Sequence, residues 1–314
     1  MPVTTVDGAR RPDGTGWRAY APELAIATAS VLYGATFRVV QVSVERTSPS
    51  AFVCMRYLVG GIVLLPFALR RSWRGPRALP RDGARLVLAV GLLVGALAAF
   101  GALVQTIGLR TTTTSNSAFI TSLFVVFTPI IEAVVYRRWP RRGIVVAVIL
   151  AIVGLHLLTG ASLSLGRGDA LTLLCAACYG GWYVVIGAFT NRMDVVAFTC
   201  TQLLLAALIM VPFAAVAGFG TLDAYVIGTV LFTGIACTAI AFALTAWAQR
   251  RMDPSRTTII SLVEPIVAGI VGYAIGERLG LGGYVGAVVI LLAILTAERG
   301  THRPVPVDPT PSEV

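Results

Sequence analysis

The sequence predicts an all-α integral membrane protein with ten transmembrane helices, arranged as two inverted five-helix repeats. The first observation behind this prediction is composition: of 314 residues, 56% are hydrophobic and 13% charged, and the mean hydropathy is +0.82. A soluble domain carries about 25% charged residues, so most of this chain must be solvated by lipid. The other two observations are an internal duplication and an uneven distribution of arginine.

The duplication is visible in residues 51–68 and 197–214, which share seven of 18 positions at an offset of 146. The same offset carries Tyr33 onto Tyr179, together with the glycine that follows each. Two apolar segments can look alike by chance. Two pairs of segments that align at the same offset, with polar and aromatic residues at matching positions, are better explained by duplication.

Ten apolar segments are each long enough to cross a hydrocarbon core of about 30 Å as a helix. They lack the strict alternation of strands. The segments lie near residues 21–43, 50–69, 86–108, 116–136, 143–160, 168–189, 195–216, 224–248, 257–275 and 281–297. They form a first repeat over 21–160 and a second over 168–297, between a polar tail at 1–20 and a proline-rich tail at 298–314.

All 25 basic residues are arginine. With the N-terminus in the cytoplasm, 19 of them fall on the inner side and four, Arg46, Arg110, Arg167 and Arg278, on the outer side. This bias follows the positive-inside rule, so we expect a multi-pass protein of the cell (inner or plasma) membrane with both termini in the cytoplasm. The net charge of +10 is then a signal of topology, and we expect no nucleic-acid partner.

Each repeat holds five segments, an odd number, so the second repeat must enter the membrane in the opposite sense to the first. Inverted repeats with a binding site near the bilayer midplane are a recurrent transporter architecture, in which one half rocks against the other to alternate access. The sequence therefore predicts a transporter whose site lies between the repeats.

Four motifs are spread over the two repeats: VLYGATF at 31–37, Pro49 with Arg56, GLRTTTTSNSAFITSLFVVFTP at 108–129, and LVEPIVAGIVGYAIGERLGLGGYVG at 262–286. They resemble motifs of the EamA-type branch of the drug/metabolite transporter superfamily. The resemblance implies a ten-helix exporter with a central cavity for amino acids, other metabolites or drugs. The first repeat departs from the family by reading YRRWPRR where Gly-Glu-Arg is common, so any role of that glutamate falls to Glu277.

Arg56 lies about six residues into the second segment, at the position that the offset pairs with Gln202. A charge at that depth costs at least about 2.5–3.5 kcal/mol unless it is paired or hydrated. We therefore expect Arg56 to face the interior of the bundle. Two interpretations are open: a structural brace, or a direct role in substrate binding or gating.

Two acids lie clearly inside predicted spans, Glu132 and Glu264, and each stands close to a proline, Pro129 or Pro265. Proline removes a backbone hydrogen bond and frees the carbonyl four residues earlier, which suits a bent, moving helix. Burial disfavours the charged form of a carboxylate, so either acid is a candidate for proton coupling. The alternative, strongest for Glu132, is an ion pair with Arg137.

Tyr33 and Phe37 are four residues apart and share a helix face, and Tyr179 and Tyr183 repeat this arrangement in the second repeat. Aromatic rings on equivalent faces either line a substrate cavity between the repeats or pack helices together. Three further candidates for substrate binding are Asn116, Trp182 and Trp247.

No catalytic set of nucleophile, histidine and acid is present in the sequence, nor a phosphate-binding glycine loop or a metal-binding cluster. We therefore expect no enzyme activity, cofactor or metal, and we interpret the Cys175–Cys178 pair as packing residues. The expected partners are a small-molecule substrate and the lipid bilayer, and the oligomeric state stays open. Alternatives to a secondary exporter are a flippase-like carrier of a lipid-linked or sugar-bearing substrate, and a membrane scaffold that does not transport.

Overall fold

The computed structural model describes residues 20–73, 81–112, 114–137, 139–159, 166–274 and 280–299. Most of both predicted tails, Glu277 and the side chain of Asn116 lie outside the described residues. Within them, all regular secondary structure is helical, apart from a single β-bridge between Thr47 and Gly220.

The helices follow the ten predicted segments, and four of those segments contain an irregularity. The first repeat holds α1 (Ala21–Gly34), α2 (Phe37–Arg46), α3 (Pro49–Trp73), α4 (Arg81–Gly108), α5 (Thr114–Ser122), α6 (Phe124–Tyr136) and α7 (Arg142–Thr159). The second repeat holds α8 (Arg167–Phe189), α9 (Val195–Ala217), α10 (Ala224–Phe232), α11 (Ala241–Ala248), α12 (Pro254–Ile260), α13 (Val263–Ala274) and α14 (Leu281–Arg299).

Eight helical stretches of the described chain are long and apolar enough to cross a membrane. Two further apolar helices, Arg142–Leu157 and Leu281–Thr296, are shorter. The chain is therefore an all-helical, multi-pass membrane protein, and the count of ten spans stays a prediction.

Local sequence accounts for several helix ends. Asp194 accepts hydrogen bonds from the backbone N–H groups of Val196 and Ala197, both at 3.0 Å, and so caps the start of α9. Asp223 accepts from Val226 N at 2.8 Å and caps α10 in the same way. After α9 the chain turns at Gly218, whose φ of 72° is a conformation that residues with a Cβ rarely adopt.

Irregularities interrupt the membrane helices close to their middle. The first span breaks at residues 35–36 between α1 and α2, and the fourth breaks at Leu123 between α5 and α6. The ninth breaks at residues 261–262, and a π-helical stretch, Thr233–Ile240, joins α10 to α11. Backbone that is non-helical or π-helical is tolerated at membrane depth where it is buried in protein or lines a cavity.

The structure corrects one expectation about the prolines. Pro265 is the third residue of α13, where a backbone N–H has no partner within the helix in any case. The carbonyl of Ser261, expected to be free, accepts a hydrogen bond of 2.9 Å from Glu264 N. Pro129 differs because it lies inside α6 and does remove a bond from the helix interior.

The most extensive helix contacts join the two repeats. Helix α3 packs along α9, and α7 packs along α14. Helix α1 packs on α11 and α13, while α8 packs on α4 and α6. The packing is symmetric between the repeats: the contact of α1 with α11 corresponds to that of α8 with α4, and the contact of α1 with α13 corresponds to that of α8 with α6. The EamA repeat predicted from the sequence therefore fits the observed packing.

Two glycines bring helices of opposite repeats into backbone contact. A Cβ on Gly34 would lie 2.4 Å from the carbonyl oxygen of Glu264, and a Cβ on Gly180 would lie 2.8 Å from Cβ of Phe127. Gly180 is the residue that the offset of 146 assigns to Gly34. Both positions therefore require glycine for the same steric reason, at equivalent crossings of α1 on α13 and α8 on α6.

Two arginines bind backbone carbonyls in an arrangement that also repeats. Arg110, after α4, donates from Nε and Nη2 to Val44 O at 2.9 and 2.7 Å and from Nη2 to Thr47 O at 3.1 Å. Arg250, after α11, donates to Thr190 O at 3.0 Å and to Met193 O. The offset of 146 assigns Thr190 and Met193 to Val44 and Thr47. We call these contacts the two arginine clamps.

We expect each clamp to stabilise the fold. Arg250→Gln and Arg110→Gln should each lower the free energy of unfolding by about 1–3 kcal/mol, because the shorter amide leaves a part-buried carbonyl without a donor. The control is Arg46→Gln, which breaks an ion pair with Asp223 whose side chains are 45% and 37% exposed, and it should cost less than either clamp variant because water screens an exposed pair. Thermal unfolding in detergent measures all three, and equal losses would contradict a special role for the clamps.

Candidate functional site

A cavity lies between the repeats, at the interrupted parts of the spans. Its volume, including its open mouth, is about 640 Å³. It extends to Val40 of α2 and Leu109 after α4, towards the face of the protein that carries Arg46 and Arg110. The lining residues are Tyr33, Thr36, Phe37, Val40, Arg56, Gln105, Leu109, Thr121, Phe124, Tyr179, Trp182, Tyr183, Phe242 and Glu264.

Half of the 14 lining side chains are aromatic, and six of these seven rings make ring contacts with one another. Trp182 lies at the centre, with ring centroids 5.0 Å from Tyr183, 4.7 Å from Phe242 and 6.5 Å from Tyr179. Phe242 also makes an edge contact with Tyr33 at 6.3 Å. These offset and edge-on arrangements hold the rings rigidly, so the cavity has a preformed apolar wall.

The structure brings together most of the residues that sequence reasoning selected. Seven of them line the cavity: Tyr33, Phe37, Arg56, Tyr179, Trp182, Tyr183 and Glu264. Tyr33 and Phe37 both reach it, although the helix breaks between them. The two alternatives for these aromatics are thus not exclusive, because the rings both pack on one another and face the cavity.

Two predicted residues lie elsewhere. Trp247 does not line the cavity. Its ring instead forms a cation–π contact with Arg251, whose guanidinium carbon lies 4.7 Å from the ring centroid. Glu132 does not pair with Arg137 but accepts hydrogen bonds from the backbone N, at 3.1 Å, and the hydroxyl of Ser255. The alternative of an ion pair with Arg137 considered only the rise along one helix, which places the two residues near each other. The start of α12, which supplies a closer donor, is remote in sequence.

Other lining residues carry no distinguishing signal in the sequence. Phe124 and Phe242 stand in uniformly apolar helices, where an aromatic ring faces lipid, core or cavity with equal ease. Gln105 donates to the Thr121 hydroxyl at 2.8 Å, so it joins two helices as well as lining the cavity. An alignment of the two repeats does not reveal these positions either, because they depend on how the helices cross.

Arg56 is 8% exposed, and a hydrogen bond from its Nε atom braces it within the described chain. Its Nε donates to the Thr238 hydroxyl at 2.9 Å, and Thr238 lies in the π-helical stretch. Its guanidinium carbon lies 5.7 Å from the centroid of the Tyr57 ring. Among the described residues, its two Nη atoms have no hydrogen-bond partner, so four N–H donors remain for a ligand or water.

Glu264 is 7% exposed and lies in the first turn of α13. The positive end of the helix dipole favours a carboxylate at this position. In the described chain, no side chain donates to it and no cation lies within 4 Å. Arg56 and Glu264 thus line one cavity as opposite charges that are not bonded to each other.

The two repeats contribute unequally to this polarity. Gln202, the equivalent of Arg56, accepts a hydrogen bond of 3.1 Å from Trp182 Nε1. Thr128, which precedes Pro129 as Glu264 precedes Pro265, donates to Phe124 O at 2.8 Å. Both equivalents are neutral and engaged within the protein, so the cavity has one positive and one negative side chain rather than two of each.

Two tyrosine hydroxyls also differ. The Tyr183 hydroxyl is hydrogen-bonded to the Ser261 hydroxyl at 3.2 Å. The Tyr33 hydroxyl is buried and has no hydrogen-bond partner among the described residues. A buried polar group without a partner is rare in a folded protein, so Tyr33 is suited to bind a ligand or water in the cavity.

The end of the bundle remote from the cavity mouth is held by polar contacts. Glu132 of α6 binds Ser255 of α12, and Arg256 of α12 forms an ion pair of 2.7 Å with Glu23 of α1. Both contacts cross between the repeats. The cavity lining thus extends towards one face of the protein, while these contacts join the two repeats near the other face.

Comparison with known proteins identifies the architecture. The pattern of the EamA-like transporter family matches residues 21–160 and 166–297. This chain belongs to the EamA-like transporter family. It is 31% identical over 283 residues to an uncharacterized transporter of Archaeoglobus fulgidus, covering 88% of this chain and 85% of that protein.

Further likenesses extend along nearly the whole chain. This EamA-like transporter is 23% identical over 291 residues to the uncharacterized transporter YwfM of Bacillus subtilis, covering 89% of this chain and 94% of that protein. A crystal structure of a protein superposes with a TM-score of 0.72 at 16% identity, covering 91% of this chain and all of the other. The second likeness shows the fold alone. The family match and the Archaeoglobus fulgidus relative support a multi-pass membrane transporter.

Paired variants of this EamA-like transporter test the two hydroxyl environments. Tyr183→Phe should lower the free energy of unfolding by about 0.5–1.5 kcal/mol, because it removes a hydrogen bond inside the protein. Tyr33→Phe should change it by less than about 0.5 kcal/mol, because its hydroxyl has no partner to lose. Thermal unfolding in detergent without substrate compares the two. A larger loss for Tyr33→Phe would mean that this hydroxyl is bonded within the protein.

Proposed function

We propose that this protein is a secondary active transporter that exports small zwitterions, of which amino acids with an apolar side chain are the best-fitting class, by alternating access. The observation that carries the proposal is the unpaired Arg56 and Glu264 in one aromatic-lined cavity. In this assignment the substrate supplies the partner that each charge lacks.

Charge balance favours a zwitterion over a simple cation or anion. The Nη atoms of Arg56 suit a carboxylate, which guanidinium groups bind through two parallel hydrogen bonds. Glu264 suits an ammonium group, and the aromatic wall suits an apolar side chain. A substrate with a single charge would leave either Arg56 or Glu264 buried without compensation, which is strongly unfavourable.

Coupling to protons follows from competition at Glu264. A proton and a substrate ammonium group cannot both occupy the carboxylate, so protonation would release the substrate and substrate binding would release the proton. No nucleotide-binding motif is present in the sequence, and such proton exchange supplies a driving force without one.

The direction of transport rests on the arginine distribution. We place Arg46 and Arg110 outside and the arginine-rich loops inside, so the cavity mouth faces outwards and the Glu132–Ser255 and Glu23–Arg256 contacts close the inner side. Alternating access then requires these inner contacts to break while the outer mouth closes. A proton that enters through this mouth would displace the substrate to the outside.

Glu264→Gln separates coupling from binding. The amide cannot exchange a proton, so a pH gradient should no longer drive uptake into proteoliposomes, whereas substrate exchange should persist at lower affinity. The control is Glu45→Gln, which removes an exposed acid of the same type outside the cavity and should keep pH-driven uptake. The measurement uses a panel of labelled amino acids with and without a pH gradient. Undiminished pH dependence in Glu264→Gln would exclude the assignment.

Arg56→Gln, which copies the residue of the second repeat, tests the zwitterion. It should weaken binding of an apolar amino acid by about 1.5–3 kcal/mol, roughly ten- to a hundredfold, because a charged hydrogen-bonding partner of the carboxylate is lost. The corresponding amine, which lacks the carboxylate, should bind as well or better. Competition against the labelled amino acid measures both ligands, and an equal loss for both would contradict a contact between Arg56 and the carboxylate.

A further inference from the structure

A second concavity lies on the outside of the bundle, at the end of α6. It is lined by Pro129, Ile130, Ala133 and Val134 of α6 and by Arg137 and Trp139 just after it. Its volume, including its open side, is about 690 Å³. Val134 is 73% exposed and Trp139 is 94% exposed, so the groove faces the surroundings of the bundle rather than its core. We call it the α6 groove.

The groove combines an apolar floor with a cation at one end. The four α6 residues present hydrocarbon over about one and a half turns of a membrane helix. Arg137 is exposed, and no acidic side chain of the described chain lies within 4 Å of its guanidinium. Arg141 and Arg142 follow it and are also exposed. This end of the groove is therefore positively charged and lies on the arginine-rich face.

The backbone at Arg137 provides an independent observation. Its φ and ψ are 51° and 38°, and it is the one non-glycine residue with positive φ in the part of the chain that the structure describes. Glycine is the usual residue at such a left-handed helix C-terminus because it has no Cβ to clash. An arginine in this conformation combines backbone strain with a positive charge at the mouth of the groove, which points to a function for that charge.

We propose that the α6 groove binds one anionic phospholipid of the arginine-rich leaflet. The acyl chain lies along Ile130, Ala133 and Val134, and the phosphate contacts Arg137. Trp139 lies at the level of the headgroup, where tryptophan is favoured in membrane proteins. A lipid fits better than a soluble anion because the apolar floor is continuous with the charged end, and arginine near the surface of an anionic leaflet attracts its headgroups.

The site shares α6 with the contact that holds the inner side. Glu132, which binds Ser255, lies on the same helix as Ile130 and Val134. Glu132 is only partly exposed and is directed towards α12, whereas the groove lies on the exposed side of the helix. Glu132→Gln therefore alters α6 without touching the groove, and serves as a control.

Native mass spectrometry of the purified protein tests the proposal, with dioleoyl phosphatidylglycerol and dioleoyl phosphatidylcholine as probes. The wild type and Glu132→Gln should bind the anionic lipid more tightly than the neutral one. Arg137→Gly should lower the affinity for phosphatidylglycerol by about fivefold and leave that for phosphatidylcholine unchanged, since each arginine near the surface contributes this much to anionic-lipid binding. Arg137→Lys should restore most of the preference.

Arg137→Gly is informative because glycine adopts the native backbone more easily than arginine, so loss of folding does not explain loss of binding. Val134→Trp, which fills the groove, should weaken both lipids. Inorganic phosphate at millimolar concentration should not compete, because it cannot use the apolar floor. An unchanged lipid preference in Arg137→Gly, unchanged binding in Val134→Trp, or full competition by phosphate would each overturn the proposal.

Discussion

The structure depends on one constraint: the bilayer interior supplies no hydrogen-bond partners, so polar groups must be satisfied within the protein. This constraint is most severe where spans are interrupted or end early. The clamps of Arg110 and Arg250 meet it at equivalent places, since each arginine binds two carbonyls at the end of the first span of its repeat. Interrupted helices can then persist inside the bundle.

The same constraint identifies the site. Many buried polar side chains of the described chain have partners, among them Trp182 with Gln202 Oε1 and Tyr183 with Ser261. The Nη atoms of Arg56 and the hydroxyl of Tyr33 lack partners among the described residues, and both line the cavity. These two groups, which are expensive to bury unpaired, therefore lie where a ligand can pair them.

Duplication produced a symmetric frame, and substitution made the site asymmetric. Gly34 and Gly180 keep equivalent close crossings, and the clamps keep equivalent carbonyl contacts. Within this symmetric frame, the residue equivalent to Arg56 is Gln202, and the residue equivalent to Glu264 is Thr128. A symmetric frame suits two opposite states of similar stability, while a single pair of charges gives one substrate site.

The sequence by itself determined the membrane setting, the helices, the internal offset and half of the cavity lining, because hydrophobic length and repeated motifs are local properties. Tyr33, Tyr179, Arg56 and Glu264 could be selected because polar and aromatic groups at matched depths stand out in apolar segments. Only the tertiary structure decided that Glu132 binds Ser255 and that Trp247 lies off the cavity. Those outcomes depend on which faces of distant helices meet, and a residue's neighbours along its own helix do not encode that.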